Sequence, residues 1–319
     1  MTPDKTRSFR NFDPSVRMKH SPRISIGLGV YNGGKFLQQT LDSILAQTFA
    51  DFELIISDNA STDGTEETCR EYAERDTRIR YSRNRTNIGL FNNFNRVFQL
   101  SSGQYFRWSS ADDLFDRRSL EECVKVLDGH PEVVLCYPKT VLIDGEGRTI
   151  RGYDDNLNLR MPEAAARMRS ALQNVGLVNV HYGLIRADAL RRTSLMADYP
   201  GSDTVLIAEL ALHGQFAEIP EQLFFRRMHD GASSALKDQP RETVETFWNA
   251  APAHGLDLYY WTHRFHNMKS IFRAPISAWE KLRAAYLLGD YIFRSRDAHL
   301  KELLRASSQL VRGARHTRA

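Results

Sequence analysis

The residues best able to do chemistry fall in three short polar clusters: Tyr31-Asn32, Asp58-Asn59 and Asp112-Asp113. An aromatic ring can stack on a base. A carboxylate can accept from a base N–H, and an adjacent acidic pair can hold a hard divalent cation bridging two phosphates. Together the three clusters suit a nucleoside diphosphate. Gly33-Gly34 opens the next helical pattern and adds a helix N-terminus, which favours any anion. Each cluster alone also has a plainer use. Asp112-Asp113 can cap a helix, Asp58 can close a turn, and Tyr31 can simply pack.

These clusters matter only if the chain brings them together, and the surrounding pattern predicts that it does. Residues 24–30 are largely apolar with no helical period, as in a buried strand. Leu37, Leu41, Ile44 and Leu45 then recur at helical spacing. The same alternation predicts strands at 52–56, 78–82, 104–108 and 133–137, with helices between them, including one at 116–127. Alternating strand and helix implies an α/β fold with a mostly parallel sheet flanked by helices. Ligands of such sheets bind beyond the carboxyl ends of the strands, where all three clusters are expected. After residue 137 the rhythm changes. Asp144-Gly145-Glu146-Gly147 predicts a hairpin turn. Helices are expected at 162–174, 186–195 and 203–213, and short strands at 216–219 and 223–228.

Length and composition set the remaining bounds. The chain has 319 residues, 42% hydrophobic and 26% charged, which suits a soluble globular enzyme. The net charge of +4 gives no reason to expect a nucleic-acid partner. Cys69, Cys123 and Cys136 are too widely and irregularly spaced for a disulfide framework or a zinc cluster. There is no apolar run of about 20 residues, so no membrane-spanning helix is expected. Three regions are predicted: a flexible arm at 1–21, a catalytic domain at 22–235, and a helical basic region at 236–319. The last carries 14 lysines and arginines against 8 acids, with interspersed aromatics. Peripheral contact with an anionic membrane through this region is therefore an expectation.

The order of these motifs resembles family 2 glycosyltransferases of the GT-A fold. It runs Val30-Tyr31-Asn32, then Ser57-Asp58-Asn59-Ala60-Ser61-Thr62-Asp63-Gly64-Thr65, Asn87-Ile88-Gly89, and Ser110-Ala111-Asp112-Asp113. The resemblance covers roughly residues 23–230. It implies an inverting transfer of a hexosyl unit from a nucleotide sugar, most often UDP-linked, to a hydroxyl of a glycan or glycolipid in cell-envelope synthesis. It also implies a cytoplasmic protein, in part at the inner face of the plasma membrane. Val30, Tyr31, Asn32, Asp58, Asn87, Asn95, Ala111 and Asp113 are implied to contact the donor, and Asp112 to hold Mg²⁺ or Mn²⁺. Gly201-Ser202-Asp203 resembles the segment that carries the catalytic base, which assigns that role to Asp203. Arg227-Met228-His229, followed by Ser233, resembles the segment near the diphosphate. Ser110 stands where the family often has an acid, Ser202 replaces a glutamate, and Asn93-Phe94-Asn95 matches the family's Ala-Arg-Asn run only at Asn95. Two other readings compete. Gly27, Gly29 and Gly33 form a loose dinucleotide fingerprint, as in an NAD(P)-dependent oxidoreductase. The two serines are compatible with a catalytically inactive nucleotide-sugar-binding protein.

Overall fold

The computed structural model describes residues 21–232 and 258–316, with side chains of the last helix as far as Ser307. Most of the arm at 1–21, Ser233, and the boundary expected near 235 lie outside these residues. Seven elements build the first half: β1 (Ile24–Val30), α1 (Leu37–Leu45), β2 (Phe52–Asp58), α2 (Thr65–Arg75), β3 (Ile79–Arg83), α3 (Leu90–Gln99) and β4 (Tyr105–Ser109). Their strands pair in parallel in the order β3-β2-β1-β4. Val30 lies level with Asp58, and Leu28 with Ser109. This register puts the three polar clusters at the carboxyl ends of adjacent strands.

Helix packing on this sheet follows from the sequence. α1 buries Leu37, Leu41 and Ile44 along one stripe. α3 buries Phe91, Phe94, Val97 and Phe98 and crosses β1 at its glycines. A Cβ at Gly27 would come within 2.6 Å of Val97 Cγ2, and one at Gly29 within 3.1 Å of Asn93 Nδ2. These glycines lie inside the strand to admit α3, not in a phosphate-binding turn. The dinucleotide reading loses its fingerprint.

The second half comprises β5 (Leu114–Phe115), α4 (Ser119–Gly129), β6 (Val133–Ile143), β7 (Thr149–Tyr153), α5 (Ala164–Asn174), a 3-10 turn (Asn179–Tyr182), β8 (Leu184–Arg186), α6 (Ala187–Arg191), α7 (Ser202–His213) and β9 (Gln215–Arg227). The sheet continues β4-β8-β6-β9-β5, with β7 on β6. Pairing is mixed. The long ladders, including ten residue pairs between β6 and β9, are parallel, and the short ones around β8, β5 and β7 are antiparallel.

Three boundaries differ from expectation. The strands expected at 216–219 and 223–228 are one strand, β9. Exposed Pro220, Glu221 and Gln222 interrupt its apolar pattern, and the β6–β9 register shifts at Pro138 and Lys139. The helix expected from 116 starts at Ser119, because Leu114 and Phe115 pair with Phe225 and Phe224. The helix expected at 186–195 ends at Arg191. The hairpin at 144–147 forms as expected, with Gly147 at φ 83°.

From residue 259 onward come α8 (Tyr259–Arg273), α9 (Ala278–Arg294) and α10 (Arg296–His316). Ile271 and Ala274 with Ala284 and Leu288 join the core built by α5, α7 and β6. Glu302 on α10 accepts from the Tyr260 and Trp261 N–H groups at 2.9 and 3.2 Å, satisfying amides at the start of α8.

Candidate active site

A cleft of about 500 Å³ opens on the carboxyl rim. Val30, Tyr31 and Asn32 from the end of β1 line it. So do Ala111, Asp112 and Asp113 from the end of β4, and Arg226, Arg227 and His229 from the end of β9. Beside it lies a smaller pocket of about 70 Å³ containing Asp203, His181 and Met196. Leu90, Phe94, Tyr182 and Arg226 line both. The two halves of the chain thus meet at one place.

The Tyr31 end is a rigid turn. Asn32 adopts φ 51°, a left-handed conformation that asparagine tolerates. Its Oδ1 accepts from Thr62 N–H at 2.8 Å, and its N–H donates to Ser61 Oγ at 2.9 Å. Gly33 and Gly34 N–H donate to Thr65 Oγ1 and Asp63 Oδ2. The amides expected to receive an anion are therefore already satisfied. Tyr31, fixed by this turn, is 49% exposed and can offer its ring to a base.

Asp58 sits behind the cleft, fully buried. It accepts from Ser61 N–H at 2.8 Å and Tyr81 Oη at 3.0 Å, and Arg83 Nε lies 3.3 Å away. Its carboxylate holds the loop that holds Asn32. Asn87 and Asn95 also lie off the cleft lining. Asn87 Oδ1 accepts from Asn59 Nδ2 and Gly89 N–H. Asn95 donates to Met196 O and accepts from Met196 N–H, tying α3 to the loop before α7. Motif matching overlooked Asn93. Its Oδ1 accepts from Ser57 Oγ and Asn84 Nδ2, and its Nδ2 donates to Ser57 O. This network anchors α3 to the end of β2.

At the acidic end the two aspartates differ. Asp113 is buried, accepting from Arg227 N–H at 2.8 Å and Ser110 Oγ at 2.7 Å. Burial first, then the charge of Asp112, pushes its carboxyl up to about 7. Asp112 is partly exposed, and its Oδ2 lies 2.9 Å from His229 Nε2. Burial alone would raise it, but the bond to His229 wins and holds it below the usual carboxylate range. Ser110 supports Asp113 where the family often has an acid.

The two adjacent arginines also separate. Arg227 is 1% exposed. Its Nε donates to Asp112 O, its Nη1 to Asp144 O and Gly145 O, and its Nη2 to Gln39 Oε1. The guanidinium covers the Phe36 ring at 4.5 Å. Arg227 clamps the rim together; the cation placed between the two pockets is Arg226. Arg226 Nη1 donates to Leu177 O and Asn179 Oδ1, and its charge lowers Asp112, Asp113, Asp155 and Asp203 alike. Sequence reading missed it because an arginine inside a strand carries no motif of its own.

Arg226 also braces a strained turn. Val178, a β-branched residue, has φ 60°, and its carbonyl oxygen lies 2.7 Å from His181 Nδ1. His181 is buried, and that burial lowers its imidazole to about 3, so it stays neutral. Asp203 stands in the first turn of α7, after Gly201 at φ 78°. Burial raises its carboxyl above the ordinary value, more than the Thr204 N–H bond and Arg226 lower it. Such a shift suits a proton acceptor.

The family model "Glycosyl transferase family 2" matches residues 25–193, more than half of the chain. The chain belongs to glycosyl transferase family 2. The putative glycosyltransferase EpsE of Bacillus subtilis is 36% identical over 114 residues, 35% of this chain and 41% of that protein. An uncharacterised glycosyltransferase of Haemophilus influenzae is 26% identical over 72% of each chain. Among solved structures, S. aureus TarS in complex with UDP-GlcNAc aligns with TM-score 0.61 and 16% identity, over 85% of this chain and 72% of that one. The mannosyltransferase PcManGT of Pyrobaculum calidifontis, in complex with GDP-Man and Mn²⁺, aligns with TM-score 0.52 and 16% identity, over 97% and 83%. The fold of this family 2 glycosyltransferase is therefore GT-A.

Proposed function

We propose that this glycosyltransferase moves a sugar, with inversion, from a UDP-linked donor to a hydroxyl of a glycan or glycolipid acceptor. The observation that carries the reading is the pair of pockets sharing Arg226. The large one has a stacking ring at one end and an acid–imidazole pair at the other, and the small one holds Asp203. The nucleoside lies at Tyr31 and the diphosphate at Asp112, His229 and Arg226. Asp203 takes the proton of the acceptor hydroxyl as its oxygen attacks the anomeric carbon. The bond from that carbon to the diphosphate breaks on the opposite side. Charge gathering on the leaving group is met by Arg226. Asp58, Asn87 and Asn95 hold the walls of the donor cleft through their bonds to Ser61, Gly89 and Met196.

A divalent cation fits the acidic end. Asp112 Oδ2 and His229 Nε2 are suitable donor atoms 2.9 Å apart, close to the separation of about 3 Å between neighbouring ligands of one small octahedral ion. Among the described residues no group of three or more His, Cys, Asp or Glu is placed to hold a metal, so oxygens of the donor diphosphate and water would complete the shell. The imidazole favours Mn²⁺ over Mg²⁺. When bound, the ion would neutralise diphosphate charge.

A thermal-shift screen of UDP-, dTDP- and GDP-sugars with Mn²⁺ tests the donor, with product NMR for anomeric configuration. A UDP-sugar is expected to stabilise the protein most. Asp112→Ala is expected to lose the part of donor binding that EDTA removes from the wild type, read by calorimetry. Retention of an EDTA-sensitive component in that variant would sink the metal assignment. A bound donor with no turnover on any hydroxyl acceptor would leave only a binding protein.

A further inference from the structure

α9 presents an apolar stripe to solvent. Trp279, Leu282, Tyr286 and Phe293 recur at helical spacing and are 73%, 66%, 74% and 65% exposed. At about 100° per residue they lie opposite Ala284 and Leu288, through which the helix enters the core. Phe265 and Phe272 on α8 and Leu304 on α10 are exposed to a similar degree. Large apolar side chains gathered this way mark a surface that meets something.

We propose that α8–α10 is a docking surface for an anionic lipid bilayer. The chemistry of the stripe fits the interfacial layer, where Trp, Tyr and Phe mixed with Leu bury their apolar bodies at headgroup depth. The charge fits an anionic leaflet. Between residues 258 and 316 there are 11 lysines and arginines against four acids. Three of those acids are engaged within the protein: Glu280 with Arg283 and Ala165 N–H, Asp290 with Arg294, and Glu302 with the start of α8. The field outside this unit is therefore positive. The same charge argues against a second copy as the occupant, since two such faces would repel. No helix among the described residues is long and apolar enough to cross a membrane, so the contact is peripheral. α8 also packs on the loop before Asp203: His263 Nε2 lies 3.0 Å from Pro200 O. Docking would hold the acceptor pocket on the same rigid unit as the membrane contact. The proposal rests on surface chemistry and stands apart from the donor assignment.

The test is flotation of the full chain with vesicles of phosphatidylcholine containing about 30% phosphatidylglycerol, and with phosphatidylcholine alone. The wild type is expected to float with the anionic vesicles only, and less so at high salt. The triple variant Trp279→Ser, Tyr286→Ser, Phe293→Ser is expected to bind about tenfold more weakly or worse. Its melting temperature should be unchanged, because the three side chains support no core. Failure of the wild type to float, equal binding to neutral vesicles, or undiminished binding by the triple variant would overturn the proposal. So would a dimer in sedimentation velocity that the triple variant dissolves, which assigns the face to a second copy.

Discussion

At the scale of residues, neighbours in sequence hold different jobs. Arg226 and Arg227 show this through their partners, and the difference is measurable. Arg227→Met strands the carbonyls of Asp112, Asp144 and Gly145 in the rim. It is expected to cost about 3 kcal/mol or more of stability, seen as a lower denaturant midpoint. Arg226→Lys keeps a cation between the pockets but loses the planar fork that binds Leu177 O and Asn179 Oδ1 together. The larger effect there is expected on kcat. If both variants lower stability equally while turnover is spared, the division of labour is wrong. Asp203 gives a second prediction. Asp203→Asn should cut transfer about 10²- to 10⁴-fold with donor affinity kept. The same change should stabilise the fold at high pH. Asp203's carboxyl is raised above its ordinary 3.8, so the folded state keeps the proton longer than the unfolded chain does. Stability from this group is therefore lost as pH rises from 3.8 through the folded value. Asparagine carries no such penalty, so the variant's melting temperature should exceed the wild type's at pH 8 and converge with it near pH 4. A variant less stable at pH 8 would contradict the burial argument. Sequence could propose Asp112, Asp203 and His229 because their motifs keep chain order. It could not show that Asp58 bonds Ser61 and Tyr81, or that Arg226 faces two pockets, because both depend on pairings across the sheet.

Elements set these positions, and the loop entering α7 shows how tightly. Gly201 has φ 78°, and a Cβ there would lie 2.6 Å from His263 Cε1 and 2.7 Å from Tyr259 Oη. Gly201→Ala therefore meets both backbone strain and a collision with α8. The expected result is a loss of turnover larger than the loss of donor binding, since Tyr31 and Asp112 lie on other strands. Equal loss of both would place the disturbance in the whole fold. The alternating half of the chain was legible because α1 and α3 bury one stripe each and β1, β2 and β4 bury every residue. The later half was less legible. β9 carries exposed Pro220, Glu221 and Gln222 in mid-strand, and β5 is two residues long, too short to leave a periodic trace. Both are defined by what they pair with.

For the whole molecule, the question is whether the basic helical region is a separate unit. Charge and aromatic pattern set it apart in the sequence, yet packing joins it to the catalytic half. Ile271, Ala284 and Leu288 share a core with Leu206, Leu210 and Met168, and Glu280 accepts from the amide of Ala165 at 2.9 Å. A unit with its own core would melt on its own, whereas a shared core couples the two. Leu288→Ala removes a side chain that is 1% exposed, at an expected cost of about 2–5 kcal/mol. Because that side chain belongs to the core that α9 shares with α5 and α7, the loss should fall on one transition. Near-ultraviolet circular dichroism and the fluorescence of buried Trp108, which sits on β4 far along the chain and is read with the other three tryptophans changed to Phe, should shift together. A variant in which Trp108 reports an unchanged midpoint while helical signal melts early would show that α8–α10 folds independently. In that case the alignment of the membrane-facing stripe with the acceptor pocket would be a loose tether and not a fixed geometry.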